Sequence, residues 1–357
     1  MQTVVVGMSG GVDSSVAAYL LKQQGYNVIG IFMHNWQEEI GGHCCAEEDY
    51  EDVKRVCAKL DIPYYTVNYS KEYYEKVFKR FLEEYEKGRT PNPDVLCNRE
   101  IKFGPFLEHA LRLGADYIAT GHYAGVERKD GFSYLVKAAD KDKDQTYFLC
   151  QLTQEQLSRA LFPLENMQKS QVRQLARNLG LSTAEKKDST GICFIGERRF
   201  RHFLANFLPA RKGDILTSGG KKVGEHEGVM FYTLGQRRGL GIGGVKDGGE
   251  GRWFVYDKDV KNNILYVEQG SEEKLYSRGL MCEEVNWIPQ RPKESEFICA
   301  AKVRYRQPEK KCHVKIDGKR VYVEFFEKQR AVACGQYVVF YDGKYCIGGS
   351  CIEEVYK

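Results

Sequence analysis

Near the amino end, Ser9-Gly10-Gly11-Val12-Asp13-Ser14-Ser15 follows the apolar run Thr3 to Met8 and precedes Val16 to Leu21. A β-branched run, then glycines, then a serine-led apolar stretch predicts strand, tight turn and helix. Such a turn is a phosphate cradle, because glycines admit backbone N–H groups to phosphate oxygens, serines add donors and the helix start is positive. The bland alternative is a serine-capped glycine turn with no ligand. The loop lacks the lysine that Walker-type loops send to the β and γ phosphates.

Two further stretches set a cysteine among cations. The first is Gly88-Arg89-Thr90-Pro91-Asn92-Pro93-Asp94-Val95-Leu96-Cys97-Asn98, with Arg99 and Lys102 beyond it. Its prolines and glycine predict a stiff loop running to a helix that starts near Asn98, which places Cys97 at a helix N-terminus where thiolate is favoured. Asp94 there reads as an N-cap or turn aspartate. The second is Lys186-Lys187-Asp188-Ser189-Thr190-Gly191-Ile192-Cys193-Phe194, ahead of an aromatic helix Arg198 to Phe207. Two such loops suggest a pair of thiols that act together.

The elements that must position these residues alternate through the first half. Asn27 to Met33 reads as a buried strand, Ala46 to Leu60 as an amphipathic helix, Pro63 to Val67 as a third strand and Lys71 to Tyr85 as one periodic helix. A strand at Asp116 to Ala119 follows, then helices across 150–180 jointed at Phe162-Pro163-Leu164, with Ser170 to Leu179 the cleanest. Alternation of this kind predicts an α/β fold with a doubly wound parallel sheet, whose ligands sit at the strand carboxyl ends. That rule selects Gly7 to Ser15, Met33-His34-Asn35-Trp36 and Thr120-Gly121-His122-Tyr123. Met33 fits a core methionine as well as a neighbour of a base, and His122 fits a hydrogen-bonded structural histidine.

From Lys212 the pattern becomes short strands with many glycines. The formal G-x-G-x-x-G at Gly239, Gly241 and Gly244 has no helix after it, so a dinucleotide reading fails its context and a basic phosphate- or domain-touching loop fits better. From about Ser277, strands at Phe297 to Tyr305, Cys312 to Ile316, Arg320 to Phe326 and Gln336 to Tyr341 predict a small closed β domain. Arg304-Tyr305-Arg306-Gln307 joins cations to an aromatic, which suits a phosphate backbone and a stacked base as well as it suits exposed strand arginines. The expected domains are 1–208, 209–276 and 277–357, the last two β-rich and the last a β-barrel.

The net charge of +4 is uneven: residues 201–357 carry 27 Lys and Arg against 21 Asp and Glu, and residues 1–200 carry 26 against 28. A basic second half beside a nucleotide-type loop points to a polyanionic partner. No run approaches a membrane span and Met1 leads almost directly into a strand, so the expectation is a cytoplasmic protein with no membrane partner. Twelve cysteines show no C-x-x-C pair, which argues against a zinc knuckle, and no metal site is predicted. His43-Cys44-Cys45 receives no role.

The Ser-Gly-Gly-x-Asp-Ser signature resembles that of the PP-loop ATP pyrophosphatases. With both cysteine stretches, Ala119-Thr120-Gly121-His122-Tyr123, Lys143-Asp144-Gln145-Thr146-Tyr147-Phe148 and Arg304-Tyr305-Arg306-Gln307, the chain resembles the tRNA-specific 2-thiouridylases along its whole length. The resemblance implies ATP-dependent 2-thiolation of the wobble uridine of tRNAs for Lys, Glu and Gln. It implies that Gly7, Met8, Ser9, Gly10, Gly11, Val12, Asp13, Ser14, Met33 and Gly121 contact ATP, with Mg2+ on the phosphates. It implies that Asn92, Pro93 and Asp94 meet the target base, that Cys97 is the nucleophile and that Cys193 carries a persulfide. His122, Lys143, Asp144, Gln145, Tyr305, Arg306 and Gln336 would touch the tRNA. Cys334 departs from the proline frequent before Gly335-Gln336.

The implied chemistry begins with transfer of AMP to the inert uracil oxygen, which turns it into a leaving group. Sulfur from the Cys193 persulfide then replaces it, with Cys97 attacking the inner sulfur and Asp94 handling a proton or orienting Cys97. Release of free sulfide or a Cys97 to Cys193 disulfide are the two routes, and an iron–sulfur cluster on Asp94, Cys97 and Cys193 is the less favoured alternative. The partners implied are the tRNA anticodon arm and a sulfur-relay protein or cysteine desulfurase. Competing functions are a PP-loop ligase adenylating a small molecule and a non-catalytic, nucleotide-gated RNA-binding protein.

Overall fold

A computed structural model describes residues 1–36, 45–188, 200–242 and 251–357, without the side chains of 45, 46 and 200–202. The first half runs β1 (Thr3–Met8), α1 (Val12–Gln23), β2 (Asn27–His34), α2 (Cys45–Leu60) and β3 (Tyr64–Asn68). It continues through α3 (Ser70–Tyr73), α4 (Lys79–Glu86), α5 (Pro93–Cys97), α6 (Pro105–Arg112) and β4 (Tyr117–Ala119). β5 (Ala124–Lys129), β6 (Phe132–Lys137), α7 (Thr146–Leu149), α8 (Gln154–Ser158), β7 (Ala160–Leu161), α9 (Lys169–Asn178) and α10 (Phe200–Ala205) complete it.

The parallel sheet has the order β3-β2-β1-β4-β7. Val4, Val5 and Val6 of β1 are wholly buried because both faces of the strand are covered. β1 pairs with β2 on one side and β4 on the other, so the strand order reverses at β1. The carboxyl ends of β1, β2 and β4 therefore share one edge at the switch point, where a crevice forms.

Three expectations about this half need correction. The single helix expected over Lys71 to Tyr85 is interrupted by a π-helical turn at Tyr74–Phe78. The helix expected from Asn98 begins at Pro93, with a second π-helical turn at Asn98–Lys102. The 150–180 segment is not all helical, since β7 adds a fifth parallel strand beside β4. A two-residue strand has no periodicity to read.

The second half carries β8 (Gly213–Thr217), β9 (Lys222–His226), β10 (Trp253–Asp259) and β11 (Ile264–Gln269), in the sheet order β10-β11-β8-β9. It ends with β12 (Tyr276–Glu283), β13 (Asn286–Trp287), β14 (Glu296–Lys302), β15 (Lys310–Asp317), β16 (Arg320–Arg330), β17 (Tyr337–Asp342) and β18 (Tyr345–Tyr356). The path β12-β16-β15-β14-β17-β18 closes through a β12–β18 pairing into a six-stranded barrel. Alternate inward residues of these strands, such as Val314, Val323, Val338 and Phe340, fill its core.

The barrel is not a separate bead. β18 continues into the β6–β5 hairpin, with Tyr345 opposite Val136 and Cys346 opposite Leu135, so one antiparallel sheet spans both halves of the chain. Among the described residues no helix is long and apolar enough to cross a membrane.

Candidate active site

Gly10, with φ of +73°, turns the chain between β1 and α1, and a Cβ there would stand 2.6 Å from the Asp49 carbonyl oxygen of α2. Ser14 Oγ accepts from the Ser9 N–H at 3.2 Å and donates to the Gly11 carbonyl at 3.1 Å. Ser15 Oγ donates to that carbonyl at 2.8 Å. Hydroxyls thus brace the loop from within, while Gly11 supplies the N-cap with no side-chain acceptor of its own.

The three strand ends selected by the switch-point rule do converge. Gly121 packs on the start of α1 so closely that a Cβ would lie 2.6 Å from the Ser14 nitrogen, which explains glycine there. The half-buried Met33 side chain reaches across to Gly7, its Cε 3.2 Å from where a Cβ on Gly7 would stand. His122 is buried and its Nδ1 meets Thr120 Oγ1 at 2.7 Å. Burial, and then the charge of Lys102, hold that imidazole well below its ordinary range, so it is neutral.

A charge cluster ties this loop to the root of the second cysteine stretch. Lys169, at the start of α9, places its Nζ 2.7 Å from both oxygens of Asp13 and 2.9 Å from Asp188. Lys143 and Arg173 add contacts to Asp188 at 2.7 and 2.6 Å. Partial burial works against ionisation of Asp188, but hydrogen bonds from Lys143 and Lys169, reinforced by their charge, outweigh it and hold its pKa at about 2. Tyr123 donates to Asp13 at 2.8 Å, and burial first, then Asp13, push its phenol far up, so it stays a donor. Lys186 bridges Asp49 and Asp52 of α2 at 2.6 Å each. Cys193, like His43 and Cys44, lies outside the described residues.

The first cysteine stretch is built differently from expectation. Asn92, not Asp94, caps α5, accepting from the Asp94 N–H at 3.2 Å, and Pro93 takes the first helical position. Cys97 is the fifth residue of that helix and is only 3% exposed, in an apolar cluster with Phe103, Phe106 and Tyr147. The macrodipole acts within the first turn, so it does not supply the thiolate character expected of Cys97. Asp94 keeps an open edge, yet protein crowds its carboxyl: burial raises its pKa and the charge of Lys102 opposes this. Next to Cys97, the buried Asn98 donates to the Phe148 carbonyl at 3.2 Å and leaves its Oδ1 unpartnered.

This stretch is held from outside its own domain. Gln336 donates to the Thr90 carbonyl at 2.8 Å, and the Thr90 N–H donates to the Cys334 carbonyl at 2.9 Å. Thr90 Oγ1 meets Thr233 Oγ1 at 2.6 Å, and Arg89 pairs with Glu353 of β18 at 2.7 Å. The turn at Cys334 to Gln336 therefore holds this stretch directly.

The residues selected as tRNA contacts fall in two groups. Tyr305 packs against Phe148 with ring centres 4.4 Å apart and planes tilted by 44°, and its hydroxyl donates to the Lys143 carbonyl at 3.4 Å, with Arg306 exposed beside it. Asp144 is buried, accepting from the Ala138 N–H and the Thr146 hydroxyl, and Gln145 accepts from the Tyr123 N–H at 3.0 Å. These two shape the turn that carries Lys143. Arg304 is spent on the carbonyls of Leu234 and Ala331.

Residues 2–197 match a model described as a tRNA methyl transferase HUP domain. Residues 201–269 match a tRNA methyl transferase PRC-barrel domain, and 277–352 an aminomethyltransferase beta-barrel domain. The tRNA-specific 2-thiouridylase MnmA of Alkaliphilus oremlandii is 57% identical over 357 residues, covering 99% of this chain and 98% of that protein. The chain belongs to the tRNA-specific 2-thiouridylase family. Relatives of the same name from Exiguobacterium sibiricum and Geobacillus thermodenitrificans are each 58% identical, over 99% of this chain and 95% of theirs.

As a 2-thiouridylase, the molecule shows what sequence reading missed. Lys169 lies just before the amphipathic stretch Ser170 to Leu179 and Arg173 within it, and no sequence signal singles out either. Asp188 stands out in the sequence only as part of its motif. Nothing in spacing joins Lys169 to Asp13, which lies 156 residues away. The Asn92-Pro93 pair, by contrast, is a cap followed by an N1 proline, and that signal was available.

Proposed function

We propose that this 2-thiouridylase activates the wobble uridine of tRNAs for Lys, Glu and Gln with ATP and replaces its carbonyl oxygen with persulfide sulfur. Residues 1–208 would perform the chemistry, with 209–276 and the barrel at 277–357 holding the anticodon arm. The observation that carries the reading is the Asp13–Lys169–Asp188 bridge, which roots the stretch leading to Cys193 at the nucleotide loop.

In this reading Gly7 to Ser14 hold the triphosphate while Met33 and Gly121 flank the nucleoside. The loop offers the hydroxyls of Ser9 and Ser14 and one carboxylate, Asp13, which Lys169 and Tyr123 already engage, so Mg2+ would be held chiefly by phosphate oxygens and water. Bound there, the ion would neutralise phosphate charge. The uracil oxygen attacks the α-phosphorus and pyrophosphate leaves with the electron pair of the broken P–O bond. Backbone N–H groups and the α1 terminus stabilise that charge.

The terminal sulfur of a Cys193 persulfide then attacks carbon 2, and AMP departs with the former carbonyl oxygen. The Cys97 thiolate attacks Cys193 Sγ, breaking the S–S bond, which leaves 2-thiouridine and a Cys97–Cys193 disulfide for a thiol reductant to reopen. Asp94, its pKa raised by burial, takes up the uracil proton. A sulfur-relay protein or cysteine desulfurase would reload Cys193. The target base lies in a single-stranded loop, so extruding it into the site costs little.

The test is pyrophosphate release with and without tRNA, in the parent protein and in Cys193→Ser. The reading predicts release that requires tRNA, and a variant that keeps tRNA affinity and adenylation but forms no thiouridine. Release without tRNA would favour a small-molecule ligase, and thiolation by the variant would remove Cys193 as carrier.

A further inference from the structure

We propose that Lys169 is the cation of the pyrophosphate site, supplied by α9 in place of the lysine that this loop lacks. The inference rests on the ATP-dependent reading above. Three observations carry it. The Lys169 side chain is only 13% exposed, so its ammonium is committed to this place rather than free to roam the surface. Its backbone is fixed as well, since the Lys169 N–H donates to Asp140 Oδ2 at 2.8 Å and the neighbouring Gln168 N–H donates to Gln171 Oε1 at 2.8 Å. The ammonium then points at both oxygens of Asp13, in the first turn of the helix whose N-terminus closes the phosphate loop.

Electrostatics explain why a cation must stand there. Asp13 and Asp188 both approach the loop, and without Lys169 they would present two carboxylates to an incoming polyanion. An ammonium has three rotatable donors, so it can exchange one carboxylate contact for a phosphate oxygen while keeping the other. A departing pyrophosphate gains charge as it leaves, and a preplaced ammonium in a partly enclosed site stabilises that charge. Lys143 and Arg173 keep Asp188 paired throughout, so the exchange strands no carboxylate.

The experiment measures inorganic pyrophosphate, ATP and adenosine binding by calorimetry and ligand-observed NMR on the full-length protein, with Lys169→Met. Loss of a charge-assisted contact predicts about tenfold or greater weakening for pyrophosphate and ATP, with adenosine unchanged within about twofold. Lys169→Gln, which keeps a hydrogen bond to Asp13, is the second variant should methionine cost the fold, with the same split expected. Lys169→Arg should restore most of the pyrophosphate affinity. Pyrophosphate binding that survives both neutral variants, or adenosine affinity lost in proportion, would overturn the assignment and leave the ATP reading standing. If the parent protein binds neither ATP nor pyrophosphate, the ATP reading itself falls, and Lys169 with it.

Discussion

The thiol of Cys97 departs most from what its neighbours suggest. Arg89, Arg99 and Lys102 are close in sequence, yet Arg89 is engaged by Glu84 and Glu353, and Cys97 is almost wholly buried within the core. To act as the proposed nucleophile, Cys97 has to be uncovered when substrate binds, and π-helical turns of the kind frequent at functional sites lie at Tyr74–Phe78 and directly after it at Asn98–Lys102. Iodoacetamide labelling followed by peptide mass spectrometry should find Cys97 at least about tenfold slower than a free thiol in the protein alone, and faster with tRNA and ATP. Labelling at the free-thiol rate without tRNA would contradict the buried resting state.

At the scale of elements, alternation of strands and helices made the parallel sheet legible, because the central strand β1 is a continuous buried apolar run while helices such as α9 bury one face. The switch point followed from that order, and with it the meeting of Gly7, Met33 and Gly121. What stayed hidden were pairings made by tertiary contact. β7 is too short to pattern, and the β5–β6 hairpin completes its sheet by joining β18, more than 200 residues on. The charge cluster around Asp188 is of the same kind, drawing partners from α9 and the turn before α7.

That cluster gives a pH test. The Asp188 pKa is depressed from 3.8 to about 2, so its stabilisation is fully present above the unfolded value and is lost as pH falls through the folded one. With partial exposure allowed for, Asp188→Asn should lower stability by about 1–2 kcal/mol at neutral pH. The difference between parent and variant should shrink between pH 4 and pH 2 in urea titrations. A constant difference across that window would mean that the charge of Asp188 is not what matters.

Over the whole molecule, the barrel does more than add basic surface. Through Gln336, Cys334 and Glu353 it fixes Arg89 to Pro91, and Thr233 of the central region adds a further contact. Substrate held by the β-rich half would therefore act on the segment that leads to Cys97. The charge of the second half predicts a polyanionic partner, but that this half holds Arg89 to Pro91 could not be read from the sequence, because such contacts leave no periodic trace.

The central claim is that oxygen is exchanged for sulfur on a nucleotide-activated uracil. It is tested most directly by nucleoside mass spectrometry of tRNA for Glu after incubation with this protein, ATP and a persulfide or sulfide source. The account predicts 2-thiouridine at the wobble position, formed only with ATP and matched by AMP and pyrophosphate in equal amount. Unmodified tRNA under those conditions, or thiolation that proceeds without ATP, would contradict it.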